Sequence, residues 1–153
     1  MKAEEARAGR VFVLRLEDGD RLPEAIERFC AEAGVQRGVC WMVGGAGAGR
    51  VVVGPETGYA RPVVPMVAGL DGVHEAAAVG TIFPDDEGAP RLHMHAALGR
   101  SGRTVTGCVR LGVEVWELGE VVLLEIEGSS ARRRLDPSTG FSVLVPGGRA
   151  PAG

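Results

Sequence analysis

Leu92-His93-Met94-His95-Ala96-Ala97-Leu98-Gly99-Arg100-Ser101-Gly102-Arg103-Thr104-Val105-Thr106-Gly107-Cys108-Val109-Arg110-Leu111 reads as a single antiparallel hairpin. Ser101-Gly102 forms its two-residue turn, with glycine supplying the positive φ that tight hairpins require. That turn sets Arg100 opposite Arg103 and His95 opposite Cys108. Side chains alternate across a strand and directly opposed residues share a face. One face therefore carries Leu92, Met94, Ala96, Leu98, Val105, Gly107, Val109 and Leu111, all apolar. The other carries His93, His95, Ala97, Gly99, Thr104, Thr106, Cys108 and Arg110. A one-residue slip would push the polar set of one strand into the core, so the pattern itself specifies the register.

The polar wall invites a metal. His93 and His95, at i and i+2 on one strand, project the same way about 6.5–7 Å apart. Cys108 opposite His95 adds a third donor, and two imidazoles with one thiolate leave a tetrahedral zinc ion an open position for water or a substrate oxygen. Zinc suits this donor set, although other divalent transition metals share it. Glu75 is a candidate carboxylate for the outer nitrogen of a metal-bound histidine, or a base. Arg110, facing His93, is a candidate for orienting an anionic ligand. The plain alternative is a polar surface or subunit interface with hydrogen-bonded imidazoles, in which Cys108 is small filler. His74 falls about five residues, or ~17 Å, from His95 if residues 74–83 pair with 91–98. It reaches the wall only from a neighbouring subunit or across a bulge.

Working outward, the 153-residue chain fits one domain with a real core. No apolar run is long enough to span a bilayer, and the charged start Met1-Lys2-Ala3-Glu4-Glu5-Ala6-Arg7 is unlike a secretory signal. A cytoplasmic location is expected. Three cysteines, at 30, 40 and 108, imply no disulfide framework. A net charge of −3 disfavours nucleic acid, although sixteen arginines against one lysine leave room for a local basic face.

Residues 1–9 read as a polar arm and Arg10 to Leu16 as a first strand. Asp20 is placed to cap a helix running to about Ala33, with Pro23 in its first turn. Leu22, Ile26, Phe29, Cys30 and Ala33 form one apolar stripe, and Gly34 ends it. Cys30 is a core thiol on this pattern. Gly38 to Val43 is a buried strand, and Gly44-Gly45-Ala46-Gly47-Ala48-Gly49 reads as a turn or bulge between strands, because no helix follows to hold a phosphate. Tyr59 to Val67, with Pro62 and Pro65, reads as an edge or irregular strand. Val73 to Phe83 is the next strand, and an acidic loop leads into the hairpin. Val113 to Leu118 and Val121 to Ile126 read as two strands around Gly119-Glu120. Residues 128–140 read as a polar loop in which Arg132-Arg133-Arg134 is solvated and bridges to the acidic turns, the alternative being a patch that contacts phosphate. Phe141 to Val145 is a last strand, and 146–153 a flexible tail. The class is α+β: a mainly antiparallel, seven- to eight-stranded sheet with one principal helix packed on it.

Together these pieces resemble the plants-and-prokaryotes conserved domain, also found behind AT-hooks in plant nuclear proteins. The resemblance covers about residues 10–145. It rests on Leu14 to Leu22 with the following helix, Val43 to Gly47, Glu75 with Gly80, and His93-Met94-His95. It continues through Gly99, Gly102, Gly107-Cys108, Glu120-Val121-Val122, and Arg134 before Thr139-Gly140-Phe141. It implies a mainly antiparallel sheet with one principal helix, assembled as a homotrimer. Many members resemble Gly-Gly-His where this chain has Thr106-Gly107-Cys108, so the third donor departs from the pattern while remaining a zinc ligand. The expected function is a homotrimeric domain with a His/His/Cys metal site, binding or hydrolysing a small polar or anionic ligand. A DNA-associated module, suggested by the plant members alone, and a ligand-free interaction scaffold are the alternatives.

Overall fold

The computed structural model describes residues 1–59 and 61–147. In chain order the elements are β1 (Arg7–Glu17), β2 (Arg21–Leu22), α1 (Glu24–Ala33), β3 (Gly38–Pro55), β4 (Pro65–Gly69), β5 (His74–Pro84), β6 (Pro90–Arg100), β7 (Arg103–Cys108), β8 (Val113–Glu127), β9 (Arg132–Asp136) and β10 (Phe141–Val145). Eight strands form one antiparallel sheet with the path β1-β8-β3-β5-β6-β7, to which β2 adds on β8 and β4 on β3. The remaining pair, β9 and β10, makes a separate hairpin. No helix is long and apolar enough to cross a membrane among the described residues.

The β6–β7 hairpin has the expected register. Arg100 pairs with Arg103 and His95 with Cys108. Ser101 and Gly102 both take positive φ, 49° and 75°, the geometry of a turn whose twist matches its flanking strands. Leu92, Met94, Ala96, Leu98 and Val109 are buried on one face. Leu111 is not: β7 ends at Cys108, and the chain turns so that Leu111 is 38% exposed.

The glycine run is neither a turn nor a phosphate loop. It lies within β3, one 18-residue strand. Its register against β8 shifts between Gly44 and Gly45 and again between Ala46 and Ala48. Such bulges bend a strand and increase its twist. The bend lets β3 pair with β5 and β8 along its first half, and with β4 and β7 along its second. The link to β7 is Val52 opposite Cys108, which closes β3, β5, β6 and β7 into a ring. Gly107 permits that closure, because a Cβ on it would meet the Val52 carbonyl oxygen at 2.6 Å.

Residues 113–127 likewise form one strand rather than two around Gly119-Glu120. Gly119 stays paired, opposite Leu16 and Gly44. The irregularity falls at Glu117, whose φ is 62° and whose N–H donates to the Asp18 carboxylate at 2.9 Å. An acceptor side chain from the distant turn after β1 thus supports a bulge where a turn was expected.

Helix α1 buries Ile26 and Cys30, with Leu22 just ahead of it and Phe29 and Ala33 partly covered. Gly34 ends it at a left-handed φ of 70°. Asp20 does not cap it. Pro23 occupies the capping position without a side-chain bond, while the Asp20 carboxylate accepts the Glu17 N–H at 3.0 Å and closes the turn after β1. At the N-terminus, β1 begins three residues ahead of Arg10, with Arg7 and Ala8 paired to Glu127 and Ile126. Glu4 accepts from Ser129, Ser130 and Gly147. Of the segment expected to be a tail, residues 148–153 lie outside the described residues.

Away from the core, the sheet shows an apolar row. Val13 stands opposite Val122, Val122 opposite Trp41, Trp41 opposite Val79, and Val79 opposite His95. These four apolar residues are 45–82% exposed. The row runs across the sheet and ends at the histidine wall.

Candidate metal centre

His93 and His95 lie on β6 between β5 and β7, and Cys108 is the last residue of β7. Thr81 is opposite His93, and Val79 opposite His95. The alternation that buries Met94 and Ala96 turns both imidazoles outward. Their Nε2 atoms are 3.1 Å apart, with rings at 75° to one another. The donor atoms of His93, His95 and Cys108 all lie within 4.8 Å of one another.

This set fits a metal. A tetrahedral zinc ion with Zn–N bonds of 2.0–2.1 Å holds two nitrogens ~3.3 Å apart. The observed 3.1 Å is close to that edge. Without a metal the same contact is a hydrogen bond in which one Nε2–H donates to the other ring. Burial, and then the charges of Arg133, His95 and Arg110, hold the His93 pKa below the usual histidine range. That favours neutral imidazole, the form that ligates. Cys108 is buried, as are Cys30 and Cys40. The latter two face the core, and burial pushes their thiols up to about 11 and about 12. They are packing groups.

The three donors open onto a groove of about 1120 Å³ between the sheet and the β9–β10 hairpin. Val52, Arg91, Arg110 and Phe141 line it, together with Thr81 and Arg133. Arg110 shares this groove with His93. Glu75 does not. It is paired with Gly99, four residues from Val79, so it stands ~13 Å along the strand from the histidines and out of hydrogen-bonding reach. His74 is buried at the start of β5, its Nδ1 2.7 Å from the carbonyl of Gly72 in the preceding turn and its Nε2 3.5 Å from the Asp71 carboxylate. Within one chain it takes no part in the cluster.

The residue whose favoured reading, a solvated loop, the structure overturns is Arg133. Far from lying in a solvated loop, Arg132–Asp136 is strand β9, and its alternation turns Arg133 inward. Its Nη2 donates to the Thr81 hydroxyl at 2.9 Å and carbonyl at 3.3 Å. Arg134, by contrast, points outward and meets Asp86 of the acidic loop at 3.7 Å, as expected of the triplet.

Residues 3–127 match the Plants and Prokaryotes Conserved (PCC) domain. The chain belongs to this family. Solved structures agree with the fold of the PCC chain. It is similar to the metal-containing protein AF0104 from Archaeoglobus fulgidus, at 26% identity and a TM-score of 0.82 over 95% of this chain and 99% of that one. It is also similar to a plant- and prokaryote-conserved protein from Pyrococcus horikoshii, at 23% identity and a TM-score of 0.80 over 94% and 96%. A third likeness is to a protein from Bacteroides thetaiotaomicron named as a candidate DNA-binding protein, at 18% identity and a TM-score of 0.73 over 92% and 96%. A comparison with curated proteins gives no significant match.

Proposed function

We propose that this PCC-domain protein is a homotrimeric metal-binding protein that takes a small anionic or polar ligand beside the metal. His93, His95 and Cys108 hold zinc or another divalent transition metal, and the groove supplies the ligand's space. The observation that carries this reading is the convergence of three donor atoms within 4.8 Å at the wall of a groove. A relative named as metal-containing supports it.

When bound, such a cation supplies Lewis acidity, polarising a ligand oxygen or lowering the pKa of water toward ~7. The chain's own contribution is positional. Flanking strands fix the two imidazoles on β6, the β3–β7 closure fixes Cys108, and Arg110 adds a positive rim. Hydrolysis is the reaction this arrangement favours; binding alone is the simpler outcome. The exposed row Val13, Val122, Trp41 and Val79 supports self-association, since contiguous apolar surface of this kind marks interfaces. The unpaired cysteines fit a reducing, cytoplasmic setting.

Elemental analysis of protein purified without a metal-affinity step tests the centre. About one metal ion per chain is expected, and none from His93→Ala. Protein without a transition metal overturns the reading.

A DNA-associated role is the second reading, favoured by the name of the Bacteroides neighbour. A salt-dependent shift of duplex DNA in a gel would support it.

A further inference from the structure

Arginine is almost never fully buried unless paired. Arg133 is 7% exposed, and among the described residues no carboxylate comes within ion-pair distance of it. Its Nη2 is held by Thr81, but its buried Nε has no hydrogen-bond partner. Leaving a buried donor unmade costs about 1–3 kcal/mol, and more for a charged group.

Of the three acids that line the groove, Asp85 and Glu27 are committed elsewhere, and Glu24 makes no ion pair with Arg133 among the described residues. Asp85 accepts from Arg91 at 2.7 Å and from the Glu87 and Ala89 amides. Glu27 accepts from the Leu92 amide at 2.8 Å and lies 3.6 Å from Arg91. Arg91 thus shows what a satisfied arginine of this groove looks like, and Arg133 lacks that company. It lines the same recess as His93, His95, Cys108 and Arg110.

We infer that Arg133 is the anchor of a small oxyanion site, in which a carboxylate or phosphate group fills the space between the Arg133 guanidinium and the His93/His95/Cys108 cluster. The inference deepens the metal reading and rests on it for the second contact alone. A divalent cation balanced by one thiolate leaves a positive charge, to which Arg133 and Arg110 each add one; with Asp85 and Glu27 already paired with Arg91, the part of the recess around Arg133 then attracts anions. Arg133 supplies what an oxyanion needs, a donor already desolvated and held in place by Thr81. Its burial also selects against a duplex backbone, which meets arginines at a surface. The groove volume is of the order found for small-molecule sites, about 300–1,000 Å³.

The test is calorimetric titration of the full chain with inorganic phosphate and, separately, with malonate, metal content being measured on each sample. Wild type is expected to bind at least one of them, and the preferred probe identifies the source of the oxyanion. Arg133→Met is expected to weaken that binding about tenfold or more, as for loss of a charge-assisted hydrogen bond. Arg134→Gln, on the same strand but facing outward, is expected to leave it unchanged. Arg133→Lys keeps a cation in the recess and serves if the methionine variant does not fold; it is expected to weaken binding without changing metal content. Metal-loaded wild type that binds neither anion, or an Arg133 variant that binds as well as wild type, overturns the inference while the metal centre stands. Anion binding that depends on Arg133 in a chain without metal retains the anion site and overturns the metal centre.

Discussion

His93 and His95 bring their Nε2 atoms to 3.1 Å on the outward face of β6, with Cys108 paired directly across from His95. Two residues of one strand and one of its neighbour thus converge on a single point without any loop to position them. Sites built on regular elements are held more tightly than sites on loops.

The donor set can be exchanged. Cys108→His is expected to keep the metal, because imidazole is an equivalent ligand and the register opposite His95 is unchanged. Cys108→Ala and His95→Ala, each leaving two donors, are expected to weaken metal affinity by more than about 100-fold, beyond the 10–100-fold typical of losing a ligand's supporting partner. Competition with a chromogenic chelator measures both, and full retention of metal by Cys108→Ala would remove the thiol from the set.

Gly107→Ala should be among the most damaging single-methyl additions in the chain. Its Cβ would meet the Val52 carbonyl oxygen at 2.6 Å, so β7 must pull away from β3. A loss of about 1–3 kcal/mol is expected from overpacking, read as a lower denaturation midpoint. Metal affinity should fall with it, because the next residue is Cys108.

The exposed row predicts how the protein assembles. Trp41→Lys is expected to lower the mass in light scattering from trimer toward monomer. Circular dichroism should be unchanged, since Trp41 is 48% exposed and packs no core. A trimer that persists in both Trp41→Lys and Val79→Lys would move the interface elsewhere.

Glu4 makes the N-terminus sensitive to acid. The Ser130 backbone N–H, helped by the Ser129 and Ser130 side chains and the Gly147 amide, holds its carboxyl down to about 2. Because the folded value is depressed, this anchoring is complete above the ordinary value of 4.5 and is lost as pH falls toward about 2. The protection of the Ser130 and Gly147 amides against hydrogen exchange, taken relative to intrinsic exchange at each pH, should fall over that window. Glu4→Gln should show the faster exchange already at pH 7.

The parts of the fold visible in the sequence were those with local rules. The hairpin register followed from alternation about Ser101-Gly102, and the helix from the stripe of Leu22, Ile26 and Cys30. The errors share a cause. Gly119 looks like a chain reversal yet lies in a strand, and of the turn or bulge that Gly44 to Gly49 allows the fold takes the bulge, because whether a glycine turns or bulges depends on the neighbour strand it must approach. Asp20 was drawn from the helix by the Glu17 amide, a nearer partner. At the site, His93, His95, Cys108 and Arg110 were legible from one strand pair. Arg133 was not, since its place depends on a hairpin packing back over residues more than fifty positions away. Three consecutive arginines carry no alternation in the sequence to show which of them turns inward. Glu75 shares a face with the histidines, but that face extends far enough to keep them apart.

The pairing of Val52 with Cys108 gives the centre a second meaning. The thiol donor is the residue at which the ring of strands is sealed, so an ion gripping Cys108 and the β6 histidines would act as a clasp on the barrel's seam. Loading and unloading would then be felt as tightening and loosening of the whole closure, and the slowest-exchanging amides in the metal-bound protein should include those flanking Val52.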